Sequence, residues 1–262
     1  MRRLLLPAML LAGLCVTLGS GQGVPTAAAE SPAPAPSVPD RFVLRPSFST
    51  SLGPVNAGSA FALTYAERTV MVTAMHLIGP AGGLKVQVEA GRLAEVVQSV
   101  GVRGAFTEDA QPVAVSKELV PVAGAHPMGD DAAGDILIFA PEVKTGLDRL
   151  QVRDGPKLSP GVLADAAPKV GDPVWLAARI GAGDTRVHAG KVVEINDGWL
   201  FYEIGDATLS LAGTNGAPIL GADGKVVGIQ LGGGVMDDGK LIGAANPWAG
   251  VKKALDGALG GG

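Results

Sequence analysis

The stretch Gly213–Gly234, GTNGAPILGADGKVVGIQLGGG, decides the fold. It opens on a glycine-rich turn and runs through Pro218 into a short apolar segment. An ADGK turn (Ala222–Lys225) then leads into a second strand, KVVGIQL. Glycine, proline and aspartate punctuate a chain whose remaining residues are largely β-branched or aliphatic, which is the pattern of strand, turn and strand rather than of a helix. The same texture extends outward in both directions. FALTYAE, TVMVTAMHLI, LKVQVEA, RLAEVVQSVGV and GDILIFAPE precede it, followed by DPVWLAARI, VHAGKVVEI and GWLFYEI, and KLIGAA comes after it. In GGGVMDDGKLIG, Asp237–Asp238 before Gly239 reads as a hairpin turn. Roughly a dozen short strands in about 220 residues predict a sandwich or barrel architecture. One helix is expected, at the C-terminal end, with Asn246 as its cap, Pro247 at its first position and Trp248, Val251, Leu255 and Leu259 at helical spacing.

Composition narrows the function classes. The chain of 262 residues is 47% hydrophobic and 18% charged, enough for a sizeable core. Its 39 glycines and 19 prolines stay just below the low-complexity range of roughly 25–30%. Aromatic residues make up only 4%, which argues against a platform of stacked rings for single-stranded nucleic acid. The net charge of −4, with no basic stripe, argues against duplex DNA, so nucleic acid is not an expected partner. No HExxH, cysteine pair or clustered carboxylate loop is present, and no metal or cofactor is expected. His126 and His188 lie in polar turns without ligand spacing. No heptad or fixed-period repeat bears on the oligomeric state.

At the N-terminal end, Arg2 and Arg3 precede an uncharged run from Leu4 to Leu18, too short to span a membrane and typical of a secretory signal. Residues 1–29 are therefore expected to be a signal peptide, with small-x-small cleavage sites at Gly19–Gly21 and at Ala27–Ala29. The expected location is the periplasm or the exterior, with no transmembrane span in the mature chain. Cys15 is the single cysteine; Leu14 before it disfavours a lipoprotein reading, and its loss with the signal would leave no thiol or disulfide. Residues 30–41 read as a Pro-rich tether, and residues 42–262 as the folded unit.

Four features of that unit carry chemistry. VMVTAMHLIG places His76 just after an apolar strand. AAGDILIFAPE puts Asp135 at the head of another, with Asp130 and Asp131 as rivals in the same loop. KVGDPVWLAARI and HAGKVVEI follow as a pair of strands, and the stretch quoted first closes the series. This order resembles the trypsin-like (chymotrypsin-fold) serine peptidases, closest to the exported, disulfide-free bacterial kind, over nearly all of residues 42–262. Thr73–His76 matches the family's TAxH segment, Asp135–Ile138 its DIALL-like strand, and Gly213–Pro218 its GxSGxP turn, with Val227–Ile229 as the following VGI strand. The resemblance implies an all-β fold of two six-stranded antiparallel β-barrels with a short C-terminal helix and a site in the cleft between the barrels.

In this chain the family's serine position is Asn215. A triad needs a hydroxyl or thiol whose proton the histidine can take, and a carboxamide nitrogen, delocalised into its carbonyl, is a poor nucleophile. Thr214 and Ser210 are the hydroxyls nearest in sequence, and no other GxSGxP-like string occurs. The resemblance thus implies His76, Asp135 and Asn215 at the catalytic positions, the last inactive. It also implies backbone N–H groups of Gly213 and Asn215 as an oxyanion hole. An extended peptide would pair beside Gln230, Leu231, Gly232 and Gly233, with Leu209 and Leu211 near an apolar pocket. The expected function is an exported, catalytically inactive peptidase homologue that keeps its peptide-binding cleft. The alternatives are an active serine endopeptidase with another nucleophile or with asparagine as a variant, and a structural envelope adaptor. Asn215–Gly216 is also a deamidation-prone pair wherever its turn is mobile.

Overall fold

In the computed structural model, which describes residues 34–141, 158–196 and 198–260, several strands bury apolar residues on both faces. Residues 1–33, on which the expected signal peptide, Cys15 and the start of the expected tether fall, lie outside the described residues. The strands are β1 (Val43–Thr50), β2 (Ala60–Tyr65), β3 (Arg68–Thr73), β4 (Val97–Gly104), β5 (Ala114–Ser116), β6 (Glu118–Val120), β7 (Leu137–Ala140) and β8 (Gly161–Val162). They are followed by β9 (Pro173–Ala177), β10 (Val187–Ile195), β11 (Leu200–Ile204), β12 (Pro218–Leu220), β13 (Val226–Val235) and β14 (Leu241–Pro247). The first eight form one sheet in the order β5-β4-β1-β2-β3-β7-β6, with β8 parallel to β2. The last six close into a barrel in the order β10-β11-β14-β13-β12-β9. The mostly-β fold of two barrel-like sheets and a short C-terminal helix is therefore present, the second barrel closed and the first nearly so.

Period-two alternation divides the core into three layers. In β2, Ala60 and Ala62 face the interior of the first barrel while Phe61 and Leu63 face outward. β7 does the same, with Leu137 and Phe139 inward and Ile138 outward. In β9, Val174 and Leu176 fill the second barrel and Trp175 and Ala177 turn to the first. The outward residues of both barrels meet in a shared layer that also takes Val251, Leu255 and Leu259 of the C-terminal helix. Strands apolar on both faces read as unbroken hydrophobic runs, as DILIFA does.

Four local expectations need correction, the first being His188, which lies not in a polar turn but buried in β10, beside Ala178 O. LKVQVEA is not a strand: Gly83 turns the chain at φ +95°, and the Gln87 carboxamide donates to the carbonyls of Ile78 and Val88. The first part of RLAEVVQSVGV is helical, α1 (Leu93–Val96), and only Val97 onward is strand. The C-terminal helix, α2 (Trp248–Leu259), has Pro247 at its cap position rather than Asn246, because β14 runs through Pro247. Asn246 turns its side chain elsewhere, as described below. Packing also begins ahead of Phe42. Val38 in the Pro-rich stretch is buried, and its carbonyl accepts from Arg186 at 2.9 Å.

Candidate active site

His76 sits in a 3₁₀ turn, Met75–Leu77, that follows directly on β3, and it is only 3% exposed. Asp135 lies just ahead of β7. Because β3 and β7 pair with Thr73 opposite Leu137, the two strand ends bring His76 and Asp135 together. The carboxylate is fully buried, and three donors satisfy it. Oδ1 accepts the His76 backbone N–H at 2.9 Å; Oδ2 accepts His76 Nδ1–H at 2.6 Å and the Met128 N–H at 3.0 Å. Such bonding offsets the cost of burying the charge. It also fixes the ring tautomer, since a proton on Nδ1 leaves a lone pair on Nε2. Asn246 Nδ2 donates to the carbonyls of Ala133 and Asp135 at 3.3 and 3.4 Å, which holds the loop carrying the aspartate. The rival acids are placed elsewhere: Asp131 accepts from Ala133 N–H and lies 3.4 Å from His126, and Asp130 offers its carbonyl to Trp199.

The lone pair on His76 Nε2 faces Asn215, whose Nδ2–H donates to it at 2.9 Å. The turn that presents Asn215 uses two left-handed glycines, Gly213 at φ +80° and Gly216 at φ +88°. A Cβ on Gly216 would run into Ser59 O and Thr73 Oγ1, so glycine is also required there by space. The turn is bolted to the first barrel by Ser59, whose N–H donates to Asn215 O at 2.7 Å and whose hydroxyl donates to Gly213 O at 3.0 Å. Thr73 Oγ1 in turn donates to Ser59 O at 2.6 Å. The Gly216 N–H donates to Gln230 O at 2.7 Å. The backbone N–H groups of Gly213 and Asn215 find no acceptor among the described residues, and both residues line an open cleft of about 630 Å³. Neither neighbouring hydroxyl is bonded to His76 among the described residues. Thr214 is fully buried with its hydroxyl donated to Leu211 O at 2.7 Å, and Ser210 lies exposed beside Ala212 N–H.

Gln230 is fully buried: its Oε1 accepts the Tyr202 hydroxyl at 2.7 Å and its Nε2 donates to Gly232 O at 2.7 Å. Burial pushes the Tyr202 phenol upward in pKa, which keeps it a donor. Leu231 packs into the shared layer between the barrels. Leu211 fills the second barrel with Leu209 packed against it, and Leu211 Cδ1 occupies the space beside Gly233. β12 pairs with β13 only as far as Ile229, and the loop bonds to Gln230 complete that edge. From Leu231 onward β13 pairs with β14 alone among the described strands, which leaves its other edge unpaired.

Sequence reasoning missed the supporting residues Ser59, Thr73 and the Met128 N–H. Their bonds join segments remote in the chain, and a hydroxyl or backbone amide in a loop carries no pattern that announces such a partner. Among the described residues no group of acids, histidines or cysteines is arranged to hold a metal ion, and no helix is long and apolar enough to cross a membrane.

No protein-family model matches the sequence, and no curated protein matches it. Solved structures do match in shape. A thermostable serine protease, AL20, from an extremophilic microorganism superposes with a TM-score of 0.54 at 15% identity, covering 85% of this chain and 99% of its own. The active form of the Rv3671c protease from M. tuberculosis gives 0.51 at 14% identity, covering 84% and 82%. A serine endoprotease from Yersinia pestis gives 0.51 at 16%, covering 85% and 64%. What this chain shares with these serine proteases, at such identities, is the chymotrypsin-like two-barrel fold.

Proposed function

We propose that the protein is an exported homologue of trypsin-like serine peptidases whose site binds extended peptide without cutting it. The observation that carries this reading is the Asn215 carboxamide bonded to His76 Nε2 at 2.9 Å, at the point where a nucleophile would stand. His76, oriented by Asp135, has a lone pair ready to take a proton, but the group offering one is an amide that cannot attack a carbonyl. A working triad contributes roughly 10⁶-fold over what remains without it. The main-chain donors of Gly213 and Asn215 do not depend on that side chain, so they still receive a peptide carbonyl. The unpaired edge of β13 adds an extended segment by backbone pairing. Export rests on the leader in residues 1–29, with its arginine pair and short apolar run.

Fluorophosphonate labelling of the native protein beside Asn215→Ser tests this reading, with casein cleavage measured in parallel. In the serine variant the hydroxyl oxygen forms a bond to phosphorus, fluoride leaves and the proton passes to His76 Nε2. The variant is expected to label and to cut while the native form does neither. Labelling of the native form would overturn the assignment of Asn215. Silence of both forms would overturn His76 and Asp135 as a working pair and bring forward the adaptor reading.

A further inference from the structure

The cleft that Gly213 and Asn215 line is also walled by Arg45, Arg103 and Arg179. Neither an acidic nor an aromatic residue lines it, although the whole chain carries a net charge of −4. Arg45 of β1 and Arg103 of β4 are direct cross-strand partners, and both are exposed. Like charges opposite each other in an antiparallel pair are destabilising. Neither arginine has an ion-pair partner among the described residues. Arg179 reaches in from the turn after β9. It donates to Ala105 O at 3.4 Å and lies 3.7 Å from Glu108, which is 94% exposed and therefore neutralises it weakly. No residue of β13 takes part in this wall. If the β13 edge pairs with the residues before the one whose carbonyl meets Gly213 and Asn215, these arginines, which lie off that strand, face the residues after it.

We propose that this cleft selects peptides carrying acidic side chains just downstream of the residue held at the Gly213 and Asn215 amides. Guanidinium groups bind carboxylates through paired, charge-assisted hydrogen bonds, and a concave positive wall on an acidic protein focuses its field on such a ligand. A carboxylate between Arg45 and Arg103 relieves their repulsion. The absence of aromatic rings from the wall favours a peptide over single-stranded nucleic acid, whose bases need stacking surfaces. The inference rests on the peptide-binding reading above and names its substrate class.

Fluorescence anisotropy with the native full chain tests it. The probe is a short, C-terminally amidated, fluorescein-tagged peptide with Glu and Asp in its second half, set against the same peptide with Gln and Asn there. The acidic peptide is expected to bind at least about tenfold more tightly, and the preference is expected to shrink as salt rises. Arg45→Gln and Arg103→Gln are each expected to weaken it by about tenfold. Both side chains are exposed, so the folds should survive. Arg103→Glu gives a control on folding, since it places opposite charges across the strand pair: its melting midpoint should equal or exceed that of the native protein while acidic-peptide binding is lost. Equal binding of the neutral peptide, or unchanged binding by both Gln variants, would overturn the proposal. So would competition by inorganic phosphate as effective as by the peptide, or tighter binding of a single-stranded oligonucleotide. On Asn215→Ser, cleavage products should carry Glu or Asp close after the cut, which ties the arginines to the same cleft. A serine variant that labels, together with a native chain indifferent to acidic peptides, sinks this proposal alone. A serine variant that stays silent, with arginine-dependent peptide binding intact, sinks the peptidase frame and leaves the acidic-ligand site.

Discussion

Asn215 shows how much one side chain decides when everything around it is in place. Its carboxamide fills the bond to His76 Nε2, and on the function proposed above that satisfies the local hydrogen bonding while leaving His76 no nucleophile to activate. The same residue precedes Gly216, and Asn-Gly pairs deamidate when the glycine nitrogen attacks the asparagine carboxamide to close a succinimide. Here that nitrogen donates its proton to Gln230 O at 2.7 Å, and the flanking carbonyls are held by Ser59. The folded protein is therefore expected to resist deamidation at Asn215, whereas the same chain in urea should convert readily. Peptide mapping after parallel incubation checks this. Conversion at equal rates in the two states would show that the turn opens often enough to lose its bond to Gln230.

At the scale of elements, what could be read ahead was whatever has a period or a punctuation mark. β2, β3, β7, β9, β10, β11, β13 and β14 stand out as β-branched runs between turn residues, and His76 and Asp135 stand at the ends of two of them. β1 was hidden by Pro46. The structure tolerates that proline because β1 pairs with β2 only at Val43 and Leu44; beyond them it pairs with β4 and, at Phe48, with Val55, so no bond between β1 and β2 is lost at Pro46. LKVQVEA alternates like a strand, yet the Gln87 carboxamide supplies partners that a neighbouring strand would otherwise give, and the segment stays irregular. The helix cap failed for a related reason, since Asn246 is used by the carbonyls of Ala133 and Asp135. The arginine wall was invisible because Arg45, Arg103 and Arg179 meet only through the register of β1 with β4 and the turn after β9. The β2–β3 hairpin shows the opposite case, an element whose turn chemistry is poor. Its loop residues Ala66 and Glu67 sit at φ 45° and 61°, positions that favour Asn and Gly, and both are exposed. Ala66→Asn combined with Glu67→Gly is expected to stabilise the protein by about 1 kcal/mol, read from urea unfolding. A loss of stability would mean that the left-handed turn is not the one formed in solution.

The whole molecule is organised around the layer shared by the two barrels. Phe61, Val72 and Ile138 of the first pack with Trp175, Leu220 and Ile229 of the second, and α2 covers the same layer. A core common to both halves predicts that they unfold together, so a titrating group in one barrel shifts the stability of the entire chain. His188 of β10 is such a group. It is 7% exposed, with Nε2–H donating to Ala178 O at 3.1 Å. Burial lowers its pKa below the usual value near 6.5, and the bond to Ala178 and the charge of Asp206 only partly oppose this. Between the lowered folded value and the ordinary unfolded one, the unfolded chain binds more protons. Stability therefore falls as pH drops through about 6.5 and continues to fall until the folded-state pKa is passed. His188→Gln keeps a donor for Ala178 O and removes the titration, so its unfolding free energy should decline less than the native protein's between about pH 7.5 and pH 5.5. Equal declines in the two proteins would assign the acid sensitivity to other groups and show that burial of His188 does not set it.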